Sequence, residues 1–111
     1  MILLADVGAS SAKVVYLGMM FPVGRSVQMV YKGFNPTYDT EEVIYERISS
    51  WSTPKGSKHD VHSVIFYGAG CMQLDRAQKV SRVLKHHFTN ASVKVHSDLL
   101  APIHTNQSEA G

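Results

Sequence analysis

The chain has 111 residues, 44% hydrophobic and 18% charged, with a formal net charge of +2. That length suits one small domain around a single core. The mild charge excess lacks the clustered basic face of a dedicated nucleic-acid binder. The single cysteine, Cys71, excludes an intrachain disulfide and points to a reducing, cytoplasmic compartment. No apolar run approaches the roughly 20 residues that span a bilayer. No basic region precedes the first apolar run, so no signal peptide is expected.

Residues 1–5 are almost uniformly apolar and predict a strand buried on both faces. Residues 13–17, rich in Val and Tyr, predict a second strand. The stretch 18–24 holds two glycines and a proline and reads as a turn. Residues 25–33 alternate at Val27, Met29 and Tyr31, which suits a third strand with one wetter face. Short connections make these three an antiparallel meander. The period then changes: Ile44, Ile48 and Trp51 recur at i, i+4 and i+7, one face of a helix. Asp39 and Glu42 have the spacing of a capping box at its start. Residues 52–60 are a polar loop, and 61–70 predict a strand ending in a glycine turn. Residues 74–88 predict a strong helix with Ala77, Val80, Leu84 and Phe88 on one stripe. Arg76, Lys79, Arg82 and Lys85 read as its solvated side. Residues 91–97 alternate as a last strand, "DLLAPIHT" opens as a helix, and "NQSEAG" reads as a tail. The order is βββαβαβ, which predicts an α/β domain over 1–104, with a tail over 105–111. Its sheet is mixed, with helices on the sheet faces.

Four short segments have the residue types for chemistry. In "ADVGASSAKVV" (5–15), a turn between strands could aim several backbone N–H groups at phosphate oxygens. Gly8 would allow close approach, Ser10 and Ser11 could add hydroxyls, and Asp6 could hold Mg²⁺ directly or through water. An ordinary hairpin is the alternative. Asp98, in "HSDLLA" (96–101), follows a strand and could take a proton from a substrate hydroxyl, or serve as a helix N-cap. Asn35, in "KGFNP" (32–36), precedes a proline and is pushed towards an extended backbone. Its amide suits sugar hydroxyls or an N-acetyl group, and also a plain turn. In "FYGAGC" (66–71), Gly68 and Gly70 either admit a ligand close to the backbone or only make a turn. The six histidines lack three ligands at a sensible spacing for zinc, and Cys71 has no identifiable base beside it.

In their order and rough spacing, these four segments resemble the N-terminal lobe of N-acetylglucosamine kinase-like proteins. These belong to the BadF/BadG ATPase family, within the acetate/sugar kinase, heat-shock chaperone and actin superfamily. The resemblance runs from Met1 to about His104. It implies a ribonuclease-H-like lobe whose first hairpin is a phosphate loop of the form Asp-x-Gly-x-Thr-x-Thr. Here Asp6, Gly8 and Ser10 match that pattern. Ala12 stands where the second hydroxyl belongs, and Ser11 where a basic residue is frequent. By the same resemblance Asp98 is the catalytic base, Asn35 contacts the sugar, and the turn at Gly68 and Gly70 lines the cleft. Asp6 positions Mg²⁺ indirectly. The implied reaction transfers the γ-phosphoryl of Mg²⁺-ATP to an amino sugar such as N-acetylglucosamine.

Family members are more than twice this length, and Pro102 interrupts the segment where their helix continues. The resemblance therefore implies the first third to half of a kinase, inactive alone. Its missing second lobe would carry the adenosine site. Uncovered apolar surface would then favour a homodimer or a second-lobe partner. Neither nucleic acid nor membrane is expected as a partner. Two alternatives remain open: a non-catalytic binding or oligomerising module, and an ATPase component like the dehydratase activators of the same family. The latter use paired cysteines where this chain has one.

Overall fold

The computed structural model describes residues 1–18, 27–51 and 58–97. β1 (Ile2–Val7) and β2 (Ser11–Leu17) form an antiparallel hairpin, and β3 (Val27–Lys32) pairs antiparallel with β2. α1 (Glu41–Ser49) leads to β4 (Ser63–Gly68), which lies parallel to β1. α2 (Leu74–His87) then leads to β5 (Ser92–Ser97), parallel to β4. Parallel neighbours need such crossovers, whereas the first three strands need only tight connections. The spatial order β3-β2-β1-β4-β5 is a ribonuclease-H-like mixed sheet. The element order is the one periodicity predicts.

Alternation decides where the core sits. Leu3, Ala5 and Val7 on β1, Ala12, Val14 and Tyr16 on β2, and Val64 and Phe66 on β4 are all buried on one face. They meet Ile44, Ile48 and Trp51 from α1 and its end, and Val80, Val83, Leu84 and Phe88 from α2 and its end. Each such aliphatic or aromatic side chain contributes about 1.5–3 kcal/mol by burial. The exposed Arg82–Glu41 ion pair, N···O 2.8 Å, lies on the same helix layer. An exposed pair is worth at most about 1 kcal/mol, so apolar packing holds this layer to the sheet.

Both described helices lie on this one face, which corrects the expectation that β1 is buried on both sides. Its Ile2 is 42% exposed. Leu4 and Asp6 are half-buried. A uniformly apolar run cannot itself reveal whether a second layer exists. The β1 strand also continues through Val7 and β2 begins at Ser11, so the hairpin tip is shorter than predicted. Ser11 is therefore the first residue of a strand, not part of the loop.

The cap of α1 also differs from the capping-box reading. Thr40 is the N-cap, its hydroxyl accepting from the Val43 amide at 3.3 Å. The Asp39 carboxylate instead accepts from the Asn35 amide at 2.9 Å. Asp39 lies one residue too early for the helix, and the preceding loop claims it. Lys58–Asp60 make a single 3-10 turn within the predicted polar loop. The predicted turn at 18–24 beyond Gly18, the loop over 52–57, and the helix predicted from Asp98 lie outside the described residues.

His87 closes the seam between the helices. It is 8% exposed, wedged edge-on against Tyr45 and Phe88, and its Nδ1 has no hydrogen-bond partner among the described residues. Burial first, then the charges of Lys58 and His86, lower its pKa below the ordinary 6.5. As pH falls through about 6.5, the unfolded chain takes up a proton here that the native chain refuses, so stability falls. Melting temperatures at pH 7.5 and 5.5 test this. A drop at the lower pH is expected, and His87→Phe should shrink it.

Candidate functional site

Strands β1, β3 and β4 all end at one edge of the sheet, where ligands of open α/β sheets bind. Three connections meet there. The β1–β2 hairpin is closed by Gly8 N–H donating to Ser11 O at 2.8 Å. The β3–α1 loop is stitched onto it: Gly33 N–H donates to Ser10 O at 3.3 Å, and Phe34 N–H to Gly8 O at 3.1 Å. The β4–α2 turn joins from the other side, with Ala69 N–H donating to Val7 O at 3.0 Å.

The glycines differ in what they are for. A Cβ on Gly33 would overlap the Gly8 carbonyl oxygen and stand 2.6 Å from the Ser11 amide nitrogen. Only glycine lets these two backbones touch. Gly70 has φ +77°, and a Cβ there would overlap Asn35 Oδ1 and lie 2.8 Å from Thr37 Oγ1. At Gly68 a Cβ would strike the Phe66 ring. These three are accounted for by packing. Gly8 is not: a Cβ there would meet only Ser11 O, at an ordinary 3.7 Å. The fold itself does not require glycine at position 8.

At the hairpin tip, the Ala9 and Ser10 amides have no hydrogen-bond partner among the described residues, and both residues are exposed. Two adjacent free N–H groups with the Ser10 hydroxyl suit an anion's oxygens. Asp6 sits one row back. The register places Lys13, Asp6, Tyr67 and His96 in one row across the open face, and Lys32 beside Ser11. Tyr67 and His96 stack there with ring centroids 5.3 Å apart. Among the described residues the Asp6 carboxylate makes no hydrogen bond or ion pair. The free amides and the two lysines suit phosphate oxygens, and Asp6 offers a single carboxylate to a cation that such phosphates carry, there being no cluster of three metal-ligating side chains among the described residues. Ala12, by contrast, is fully buried on the helix face, so its side chain points away from Asp6.

Asn35 lies against the β4–α2 turn. Its Oδ1 accepts from the Thr37 amide at 2.8 Å, and its carbonyl accepts from the Tyr38 and Asp39 amides at 3.0 and 2.9 Å. The loop is thus a side-chain-closed turn. Lys79 is not merely solvated, as the basic row of α2 suggests: its ammonium donates to Pro36 O at 3.0 Å and Asp39 O at 3.1 Å. Sequence reasoning missed Gly33, Asp39 and Lys79 as parts of this edge. A glycine beside Asn35 was the available sign for the first. The other two act through distant backbone groups and leave no local pattern.

The edge therefore brings together Asp6, Gly8, Ser10, Ser11, Asn35, Gly68 and Gly70. Asp98 lies outside the described residues. Two other features stand apart from it. A groove of about 530 Å³ between α1 and α2, lined by Glu41, Glu42, Tyr45, Arg82, Val83 and His86, shares no residue with the three loops. Burial, then Tyr31, pushes the Tyr16 phenol far above its ordinary range, but Tyr16 is at the far end of β2 from the hairpin.

The topology and this loop-built edge define a ribonuclease-H-like α/β fold. The particular structure it overlays, with a TM-score of 0.75, was solved for a candidate N-acetylglucosamine kinase of Porphyromonas gingivalis. The two are 24% identical, and the match covers 90% of this chain and 35% of that one. The likeness establishes the fold, and this chain spans about a third of that protein's length. A translation termination-like factor of S. cerevisiae matches at a TM-score of 0.47 and 8% identity, over 97% of this chain and 34% of that one. That overlay is too loose to carry an argument. No protein-family model matches the sequence, and no curated protein matches it significantly. No helix among the described residues is long and apolar enough to cross a membrane.

Proposed function

We propose that this chain carries the phosphate- and sugar-facing edge of an ATP-dependent amino-sugar kinase. The observation that carries this reading is the hairpin tip: free Ala9 and Ser10 amides beside an unengaged Asp6, with a glycine at position 8 that the fold does not need. The Ala9 and Ser10 amides and the Ser10 hydroxyl hold phosphate oxygens. Asp6 orients the divalent cation, directly or through water. Asn35 meets the sugar, and the turn at Gly68 and Gly70 walls the cleft. Asp98 accepts the proton of the attacking hydroxyl. Bound Mg²⁺ supplies neutralisation of the phosphate charge. The chain's own part is to position these groups in line.

A second lobe that completes the cleft and carries the adenosine site belongs to the proposal. The test is phosphate transfer from Mg²⁺-ATP to N-acetylglucosamine. It is run with the chain alone and with the remaining two-thirds of the Porphyromonas gingivalis protein supplied as a separate polypeptide. Transfer in the mixture and little with the chain alone is expected. No transfer in either, with no Mg²⁺-ATP binding, contradicts the reading.

A second reading, a non-catalytic module that oligomerises, is favoured by the open sheet face, where Ile2 is 42% and Val30 62% exposed. It requires a dimer in sedimentation and no nucleotide-dependent change in melting temperature.

A further inference from the structure

We propose that Lys79 is a positioning residue for this edge, fixing Asn35 as a pure hydrogen-bond donor; the proposal rests on the sugar-facing role given to Asn35 above. Lys79 projects from α2 and ties together two carbonyls of the β3–α1 loop, those of Pro36 and Asp39, at 3.0 and 3.1 Å. Those carbonyls bracket the turn that Asn35 opens. From inside the turn, the Asp39 carboxylate accepts from the Asn35 amide at 2.9 Å. The Asn35 side chain is held on one side of this turn. Its Oδ1 accepts from the Thr37 amide at 2.8 Å and packs so near Gly70 that a Cβ there would overlap it. Only the Nδ2 hydrogens remain, and they have no partner among the described residues.

A fixed donor has a chemical consequence. It suits an oxygen that only accepts, such as an acyl carbonyl. It accepts a hydroxyl less selectively, and it faces an ammonium group donor to donor. If Lys79 lets go, the turn loosens, Oδ1 is released, and Asn35 can present either end of its amide. Selectivity is lost before affinity.

The experiment uses the full ¹⁵N-labelled chain as wild type, Lys79→Met and Lys79→Arg. Methionine keeps the apolar stem and removes the donor, while arginine keeps a charged donor. Each protein is titrated with N-acetylglucosamine, glucosamine and glucose, and amide hydrogen exchange is followed at Thr37, Tyr38 and Asp39. Wild type should prefer the N-acetyl sugar over glucosamine by about 10-fold, the worth of one well-placed hydrogen bond. Lys79→Met should lose that preference and exchange faster at those three amides by about 10-fold or more, with core amides such as those of Val14 and Phe66 unchanged. Lys79→Arg should restore both. Unchanged exchange at the three amides in Lys79→Met overturns the clamp. A preserved preference in Lys79→Met overturns the selectivity. A wild-type chain that binds no sugar overturns the sugar reading of Asn35, and the exchange data then still decide the clamp.

Discussion

Gly33→Ala should unfold the edge, while Gly8→Ala should leave the fold intact and cost only ligand binding. At position 33 a methyl group would overlap the Gly8 carbonyl and crowd the Ser11 amide. Both obstacles are backbone, so neither can swing aside. Relief requires the loop to withdraw from the hairpin, breaking the Gly33–Ser10 and Phe34–Gly8 hydrogen bonds. Overpacking of this kind costs about 1–3 kcal/mol, and two lost bonds add about 1 kcal/mol each. The melting temperature should fall on the order of 10–20 °C. At position 8 the same methyl meets one oxygen at 3.7 Å. Its melting temperature should stay within a few degrees of wild type, while phosphate affinity should fall if glycine is kept there for close approach of the anion. Thermal unfolding and nucleotide titration of the two variants separate a glycine held by the fold from one held for a ligand. Equal destabilisation of both would remove the argument for Gly8.

Asp98→Asn should abolish phosphate transfer in the completed enzyme and leave Mg²⁺-ATP binding unchanged. General-base catalysis contributes about 10²–10⁴-fold, so kcat should fall by that range. The amide is nearly isosteric with the acid, and the hairpin proposed to bind phosphate is a different segment of the chain. A matching loss of nucleotide affinity would instead mean that Asp98 serves the metal or the fold. Retained activity would take it out of the base role.

How much of this was legible in the sequence follows from what each signal measures. The strand alternation in 27–32 and the stripe of Val80, Leu84 and Phe88 report burial directly, so element order followed from them. The first strand was harder. Its run of Ile2, Leu3 and Leu4 is equally apolar at every position, yet only Leu3 is fully buried. A residue's own hydrophobicity does not say whether a second layer covers it. The cap of α1 failed because Asp39 and Thr40 are both good caps, and the decision was made by the Asn35 amide four residues earlier. Three of the four segments fall on loops at this edge, because those loops carry their glycines and their asparagine close to strand ends, and the fourth, with Asp98, lies outside the described residues. What the segments could not give was the stitching. Gly33 against Gly8 and Lys79 against Pro36 join residues 25 and 43 positions apart, and no local pattern encodes such a distance.

In the proposed function the hairpin tip binds the phosphates of a Mg²⁺-nucleotide. Titrating the ¹⁵N-labelled chain with Mg²⁺-ATP, and following the amide resonances of Gly8, Ala9 and Ser10, tests it most directly. Saturable shifts centred on Ala9 and Ser10, strongly reduced in Gly8→Ala and in Asp6→Asn, are the expected result. Shifts absent from these amides at millimolar nucleotide, or confined to the groove around Tyr45 and His86, would contradict it.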